Sequence, residues 1–227
     1  MVDAKLKKAL EKFQSELKDA RAKGELSAIR LADLFRPIAQ RLLYGGCFTV
    51  FSKGVLEREV YPATVEFYYH EEADGGFKDY IVYHRCKIMA IDGKWIEDVP
   101  YFELGAINAH QSGIDITFES VDGQYRASAL IRAFRYQKGC EEIVDERSTY
   151  LYDQLFTGLE MPITVQWKSS DSLPNTNPKQ GFRVNSFLLK PNPDGEGKPI
   201  KETDRRPWAF SVKAFRPSLR YDPKKAE

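Results

Sequence analysis

The chain lacks the long apolar segments that place a protein in a membrane or on the secretory route. Its 227 residues contain no apolar run near the roughly 20 residues that a membrane-spanning helix needs. The N-terminal segment MVDAKLKKALEKF has no apolar stretch of the kind that secretory signals carry. We therefore expect no membrane partner and no export.

The chain also has few residues that bind metals or form disulfides. It contains three histidines and three cysteines, and Cys47, Cys86 and Cys140 are widely spaced. An odd cysteine count without a Cys-x-x-Cys pair argues against a disulfide framework or a zinc ribbon. His84 and Cys86 lie two residues apart, but no second ligand pair follows at a metal-site spacing. We expect no metal and no cofactor, and unpaired cysteines favour a cytoplasmic location.

Charge and signature motifs exclude further classes of protein. Lys and Arg number 34 against 33 Asp and Glu, so the net charge of +1 identifies no partner. Acidic residues dominate 57–102 and basic residues dominate from 161 onward, which fits either a polarised surface or ordinary solvated faces. The sequence has no GxGxxG, GxxxxGK[ST], GxSxG or HExxH motif. Nucleoside triphosphate hydrolysis, Rossmann dehydrogenase and serine hydrolase chemistry therefore lack support.

The N-terminal part of the chain has helical periodicity. Apolar residues spaced by three and four predict a helix over 3–22 that Asp3 can cap. A second helix is predicted to start at Ser27, and Pro37 predicts a kink or a division into two short helices. Its expected core positions are Ile29, Leu31, Leu34, Ile38 and Leu42.

The rest of the chain is dominated by the two-residue alternation of strands. Strands are predicted over 47–52, 55–60, 64–70, 113–120, 125–136, 162–167, 182–190 and 207–215. Pro62 is expected at a turn, and Asp122-Gly123 predicts a hairpin between 113–120 and 125–136. One short helix is predicted within 141–160, and long loops over 169–181 and 191–206.

Helices followed by many strands indicate an α+β protein with a largely antiparallel sheet. The length favours a single domain over 1–227, with a helical segment over 1–44 and a sheet-rich body over 45–220. The sequence leaves the oligomeric state open.

The segment 64–72 carries the most informative side chains. In a strand, Glu66, Tyr68 and His70 point to one side, and Val65, Phe67 and Tyr69 point to the other, which has the composition of a core. One interpretation is a half-exposed strand with its polar residues in water. The other is a carboxylate positioned as a general base beside an aromatic ring.

Three further residues could belong to a site. His84 and His110 lie in polar, aromatic surroundings, although a hydrogen-bonded structural histidine is the more common case. Arg132 sits in the apolar strand ALIRAF, where a buried guanidinium is costly unless it is paired. It lies either on a solvated face of the sheet or in a pocket where it holds a carboxylate or a water.

Six short segments follow one another in an order that identifies a family. They are LADLFRPIAQRLL (31–43), Glu66-Phe67-Tyr68, Asp79 to His84, GAINAHQSGIDI (105–116), Leu130-Ile131-Arg132-Ala133 and Arg206-Pro207-Trp208-Ala209-Phe210. Their order resembles that of the methylpurine-DNA glycosylase (alkyladenine glycosylase) family, and over about 40–215 the chain looks like a distant relative of that family. The resemblance implies a curved sheet and a base-excision enzyme that acts on double-stranded DNA with a damaged purine.

The resemblance also assigns roles to individual residues. Glu66 would be the general base that activates water, and Arg132 would help to hold Glu66 and the water. Tyr68 and His84 would stack on the flipped base, and His110 would lie where the family has a third stacking ring. A base cannot be excised inside a duplex, so it is rotated out at a cost of a few kcal/mol. Stacking on aromatic rings returns roughly 1–3 kcal/mol per base.

The chain departs from the family at two positions and in its charge. The tyrosine that fills the DNA gap in that family would fall near Gln111–Gly113, where no aromatic residue stands. The asparagine that excludes guanine would fall near Glu119, a carboxylate that alters base choice or faces away. The near-neutral charge weakens phosphate binding. The alternative function is therefore a non-catalytic binding module on the same scaffold, for a modified base, a nucleotide, another flat ligand or a protein partner.

Overall fold

The structure is a computed structural model that describes residues 1–73, 75–79, 82, 100–110, 112–183 and 205–212, and the backbone of 88–89, 95–96, 187–190 and 200–203. It contains three helices within those residues: α1 (Ala4–Ala22), α2 (Ala28–Tyr44) and α3 (Tyr150–Phe156). No described helix is long and apolar enough to cross a membrane.

The first two helices begin where their capping residues predicted. The side chain of Asp3 accepts a hydrogen bond from the backbone N–H of Leu6 at 3.1 Å, and that of Ser27 accepts one from Arg30 at 3.1 Å. Each bond satisfies one of the amides that a helix start leaves without a partner. The apolar stripe of α1 is buried along its whole length.

Two expectations for the second helix need correction. α2 runs without interruption through Pro37, so it is not divided into two helices. The buried face of α2, which includes Leu34 and Ile38, is long enough to outweigh the one hydrogen bond that a proline removes. Ile29 is 71% exposed and is not a core residue, because it lies on the opposite side of the helix from Leu31.

The structure describes thirteen strands. They are β1 (Gly46–Ser52), β2 (Val55–Glu71), β3 (Ile88–Met89), β4 (Trp95–Ile96), β5 (Ile107–His110), β6 (Gly113–Thr117), β7 (Tyr125–Lys138), β8 (Glu141–Asp145), β9 (Ile163–Ser169), β10 (Lys179–Gly181), β11 (Phe187–Lys190), β12 (Ile200–Thr203) and β13 (Ala209–Ser211). Nine of them form one curled sheet with the order β10-β13-β2-β7-β6-β5, in which β1 also pairs with β2, β9 with β1 and β8 with β7. β3 pairs with β4, and β11 with β12.

All described pairings are antiparallel, which confirms the α+β class with N-terminal helices and an antiparallel sheet. The predicted hairpin is also confirmed, since Asp115 lies opposite Leu130 and Thr117 opposite Ser128. The later predicted strands overlap β9, β11 and β13. Residues 182–183, 207–208 and 212 lie outside these strands, whereas 184–186, 213–215 and most of the predicted loop 191–206 lie outside the described residues.

The predictions for two regions, one of strands and one of a helix, are wrong in their boundaries. The segments 55–60 and 64–70 form one strand of 17 residues, and Pro62 marks a register shift against β7 instead of a turn. A bulge tolerates proline because the residue there need not donate to the ladder. The region 141–160 holds the strand β8 before the seven-residue helix α3, so it is not a helix alone.

One face of the sheet packs on α1 and α2. The aromatic rings of Phe13, Phe35, Phe67 and Phe118 meet there, with Phe35 and Phe67 stacked at 4.6 Å between ring centroids. Trp208 joins this core and donates its indole N–H to the carbonyl of Ala28 at 2.8 Å. This arrangement fixes β2, β7 and β6 side by side, and it leaves their other face to a different set of residues.

Candidate active site

The face of the sheet opposite the helices is polar. Val65, Phe67 and Tyr69 belong to the hydrophobic core, so Glu66, Tyr68 and His70 point away from it, as the alternation predicted. Directly opposed residues of antiparallel strands share a face. The polar face therefore also holds the β7 residues opposite these three, which are Leu130, Ser128 and Arg126. It continues onto β6, where Asp115 lies opposite Leu130 and Thr117 lies opposite Ser128.

This polar face is buried. Glu66 and Arg126 are fully buried, and Asp115 retains 3% of its exposure. The interpretation of β2 as a half-exposed strand with Glu66 in water is therefore wrong. A carboxylate removed from water needs charged or hydrogen-bonding partners, and the identity of those partners defines the site.

Glu66 is held by two residues that the sequence had singled out. The hydroxyl of Tyr68 donates to Oε2 of Glu66 at 3.0 Å, and Nε of Arg132 lies 3.4 Å from the same oxygen. Burial and the charge of Glu66 raise the pKa of Tyr68 well above its usual value, so the phenol remains a donor. Arg132 thus faces a carboxylate, and the solvated position for this arginine is wrong.

The ring of Tyr68 has a cation against it. The guanidinium carbon of Arg183 lies 4.6 Å from the centroid of the Tyr68 ring, within the range of a cation–π contact. Arg183 is fixed in turn by Asp79, whose Oδ2 accepts a hydrogen bond at 2.7 Å, and by the carbonyl of Phe67 at 3.2 Å. One face of Tyr68 is therefore covered by a protein side chain.

Asp79 joins two arginines in a buried cluster. Nη2 of Arg206 donates to Oδ1 of Asp79 at 3.0 Å, and Nη2 of Arg183 reaches the same oxygen at 3.4 Å. Burial acts to raise the pKa of Asp79, but the charges of Arg183 and Arg206 hold it below its usual value. Burial also lowers the pKa of Arg206 to about 10. The sequence pattern singled out the segments of Asp79 and Arg206 but not Arg183, because no periodicity or short motif marks it.

A chain of polar contacts leads from Arg132 to a second carboxylate. Nη1 of Arg132 donates to Oγ of Ser148 at 3.3 Å, and the hydroxyl of Ser148 donates to the carbonyl of Ser112 at 2.8 Å. The backbone N–H of Ser112 donates to Nδ1 of His110 at 3.2 Å. Nε2 of His110 lies 3.1 Å from Oδ2 of Asp115.

These contacts form a continuous chain between the two carboxylates, Glu66 and Asp115. Glu66 and Asp115 both lie opposite Leu130, on its two sides. Two strand spacings separate their Cα atoms by about 10 Å. Gly113 has φ +141°, and a Cβ there would meet the side chains of Leu130 and Ser148 at 3.1 Å, so only glycine permits this close approach. We call this set the Leu130 ring: Glu66, Arg132, Ser148, Ser112, His110 and Asp115.

Glu119 is placed elsewhere on the polar face. Its Oε2 accepts hydrogen bonds from the backbone N–H of Phe102 at 2.8 Å and from Nη1 of Arg126 at 3.2 Å. Arg126 lies opposite His70, four residues from Glu66, which is about 13 Å along a strand. Burial raises the pKa of Glu119 to about 7, although Phe102 and Arg126 oppose the shift. The structure does not bring Glu119 to Glu66.

The structure therefore brings together Glu66, Tyr68 and Arg132, and joins them to His110, whereas His84 lies outside the described residues. Sequence reasoning missed Asp115, although its alternation with Ile114 and Ile116 already placed it on the face opposite the core. Among the described residues, no group of three or more His, Cys, Asp or Glu side chains could hold a metal ion.

Comparison of the chain with protein-family models, with curated proteins and with solved structures found no match. The chemistry of the site must therefore be argued from its residues.

Proposed function

We propose that the protein is a base-excision DNA glycosylase, which hydrolyses the N-glycosidic bond of an alkylated or deaminated purine flipped out of double-stranded DNA. The observation that carries this proposal is the fully buried carboxylate of Glu66, with Tyr68 at 3.0 Å and Arg132 at 3.4 Å. We also propose that the helices and the curled sheet form the fold of the methylpurine-DNA glycosylase family, which the sequence resembles.

Glu66 acts as the general base in this proposal. As the bond from C1′ to the purine breaks, a water attacks C1′ and gives its proton to the carboxylate. Tyr68 and Arg132 hold the carboxylate in one orientation, and a positioned base of this kind contributes typically 10²–10⁴-fold. The guanidinium of Arg132, 3.4 Å from Glu66, places a positive charge beside the carboxylate.

The purine would lie against the face of the Tyr68 ring that points away from Arg183. Arg183 covers the other face at 4.6 Å, so a flipped base can stack on one side only. The cation also polarises the ring and fixes its position. His84 would supply the second stacking ring, as the resemblance implies.

The same contact favours the second candidate function, a non-catalytic module that binds a flat ligand. A ring that is covered by Arg183 on one side and hydrogen-bonded to Glu66 resembles a rigid binding surface as much as an active site. The near-neutral charge and the absence of an aromatic residue near 111–113 also suit a ligand other than duplex DNA.

The two functions are separated by measuring base release and duplex binding together. Duplexes that carry 3-methyladenine, 7-methylguanine or hypoxanthine are incubated with excess wild-type protein, and the free base is quantified. We expect release from at least one of them, with an affinity that falls steeply as salt rises. Folded protein that releases no base from any of the three contradicts the glycosylase, and absence of duplex binding at low salt then favours the module.

A further inference from the structure

A groove lies between the two N-terminal helices, which pack on the face of the sheet opposite the polar face. It has a volume of about 490 Å³ and is lined by side chains of α1, of α2 and of the loop that follows β9. Its floor is apolar, with Ala9 and Phe13 from α1, Leu34 and Pro37 from α2, and Leu173 from the loop. Small-molecule sites have this size and this mainly apolar lining.

The loop that forms the third wall of the groove is held in place by hydrogen bonds. The backbone N–H of Ser170 donates to the carbonyl of Gly45 at 2.8 Å, and Nζ of Lys5 donates to the carbonyl of Ser170 at 3.1 Å. Cδ1 of Leu173 packs so close to Gly45 that a Cβ there would meet it at 2.8 Å. The wall is therefore part of the fold, and the groove does not need a ligand in order to form.

The rim of the groove carries more positive than negative charge. Its charged lining residues are Lys5, Lys8, Lys12, Arg41, Glu11 and Glu16. Lys5 and Lys12 each have a carboxylate partner, at 3.1 and 3.5 Å. Within the residues that the structure describes, Lys8 on α1 and Arg41 on α2 form no ion pair. Each helix thus contributes one cation whose charge is not neutralised by an ion pair.

We propose that this groove binds an anionic single-chain amphiphile of the fatty-acid class. The alkyl chain lies on the apolar floor between α1 and α2, and the carboxylate is held by Lys8 and Arg41. A carboxylate accepts hydrogen bonds from an ammonium group and from a guanidinium group, and both bonds are strengthened by charge. This binding site is separate from the proposed glycosylase site, because none of its lining residues lies on the polar face.

The dimensions of the groove favour an alkyl chain over a segment of a partner protein. The lining residues of α1 run from Lys5 to Glu16, which is about 16 Å along the helix axis. A partner helix is about 10–12 Å wide with its side chains, and a stable protein interface covers about 800 Å² on each partner. A groove of about 490 Å³ is too small for such a partner, whereas one alkyl chain fits along it.

The test is calorimetric titration of the full chain with dodecanoate, below the concentration at which dodecanoate forms micelles. We expect one molecule to bind with a dissociation constant on the order of 100 µM. Dodecylammonium has the same chain and the opposite charge, so Lys8 and Arg41 should repel it and weaken its binding at least about tenfold. Absence of saturable dodecanoate binding up to about 2 mM, or equal binding of the two amphiphiles, would overturn the proposal.

A pair of lysine variants locates the carboxylate. Lys8→Gln and Lys7→Gln each remove one positive charge from adjacent positions of α1, but only Lys8 lines the groove. We expect Lys8→Gln to weaken dodecanoate binding about three- to tenfold, and Lys7→Gln to leave it within about 1.5-fold of wild type. Equal losses in the two variants would show a general attraction to the basic surface of α1 and would overturn the site.

A pair of alanine variants locates the alkyl chain. Ala9→Leu places a larger side chain on the floor of the groove, whereas Ala22→Leu makes the same change at an exposed position of α1. We expect Ala9→Leu to weaken dodecanoate binding at least about tenfold, and Ala22→Leu to leave it unchanged. Unchanged binding in a folded Ala9→Leu variant, as judged by thermal unfolding, would overturn the placement of the chain.

Vesicles of phosphatidylglycerol test the other occupant that a basic rim could have. We expect the protein not to bind them at physiological salt, because the paired cations and Glu11 leave little net charge on the rim. Vesicle binding that is equal in wild type and Ala9→Leu would assign the rim to a membrane surface and would overturn the groove as a site for a single ligand.

Discussion

The two faces of the central sheet both hold fully buried side chains, but these are apolar on one face and polar on the other. On the face against α1 and α2, Val65, Phe67 and Tyr69 retain no measurable exposure, and their neighbours are apolar. On the other face Glu66 is equally buried, but its neighbours are ions and hydroxyls. The first face gains free energy from burial. The second loses solvation that its ion pairs must offset.

The difference between the two faces separates the residues that stabilise the fold from those that are suited to chemistry. Buried ion pairs are weak evidence for stability, since apolar residues of the same volume often serve as well. Groups held away from water in fixed orientation are what an active site requires. We therefore expect substitutions on the apolar face to unfold the protein, and isosteric substitutions in the Leu130 ring to spare the fold.

The largest loss of stability is expected on the apolar face. Phe67→Ala removes a fully buried ring that stacks on Phe35 and lies 5.6 Å from the Phe210 ring, so the free energy of unfolding should fall by about 3–5 kcal/mol. Urea denaturation measures the loss. Leu56→Ala on the same strand is the control, because Leu56 is 48% exposed and its loss should cost less than about 1 kcal/mol. Equal losses would contradict the assignment of the core.

A loss of about 3 kcal/mol in the free energy of unfolding is expected when the buried cluster of Asp79, Arg183 and Arg206 is broken. Asp79→Asn removes the carboxylate that lies between Arg183 and Arg206, both of which are nearly or fully buried. Urea denaturation again measures the change. Asp171→Asn removes a fully exposed partner of Lys5 and should be almost neutral. Unchanged stability in Asp79→Asn would show that the two arginines have other sufficient partners.

A pH-dependent effect of at most the same size is expected at Glu119. Burial raises the pKa of Glu119 from 4.5 to about 7, so the folded state binds this proton more tightly than the unfolded state. Protonation of Glu119 stabilises the folded state fully below pH 4.5, and this contribution is lost as the pH rises to about 7. The free energy of unfolding should therefore fall by at most about 3 kcal/mol over this range. In Glu119→Gln this part of the pH dependence should vanish. Parallel stability curves for the two proteins between pH 4 and 8 would contradict the shift.

The smallest change in stability is expected at Glu66. Glu66→Gln keeps an acceptor for Tyr68 and removes one charge of the pair with Arg132, which is 17% exposed. Because Arg132 is partly exposed and keeps its hydrogen bond to Ser148, its charge is not left buried without a partner, and we expect the free energy of unfolding to change by less than about 1 kcal/mol. Thermal and urea unfolding check this. A loss of unfolding free energy as large as that of Phe67→Ala would contradict this expectation and would show that Glu66 stabilises the fold as a core residue does.

The sequence predicted the faces of β2 but not what covers them. Alternation over 64–70 correctly separated Glu66 from Phe67, because the two-residue period of a strand is local. Burial of Glu66 depends on residues distant in the chain, such as Arg132, which no local pattern reports. Pro62 was misassigned to a turn for a related reason, since the bulge that accepts it forms only against β7.

The sequence also predicted only some of the residues of the candidate site. The order of short motifs singled out Glu66, Tyr68 and Arg132, and these residues are in contact. Arg183 was missed because it reaches Asp79 only through tertiary structure. Asp115 was missed although its alternation with Ile114 and Ile116 is a local signal, and only the pairing of β6 with β7 places it opposite Leu130. Glu119 was placed near the base by spacing along the chain, but its partner across the sheet is Arg126.

The claim that the polar face carries chemistry is tested most directly by the single-turnover rate of Glu66→Gln relative to Glu57→Gln. Both substitutions lie on β2, but Glu57 is exposed. The substrate is a duplex containing 7-methylguanine, with both proteins shown to be folded at the assay temperature. We expect Glu57→Gln to keep the wild-type rate and Glu66→Gln to lose at least about 100-fold. Equal rates in the two variants would contradict the assignment of Glu66 as the general base.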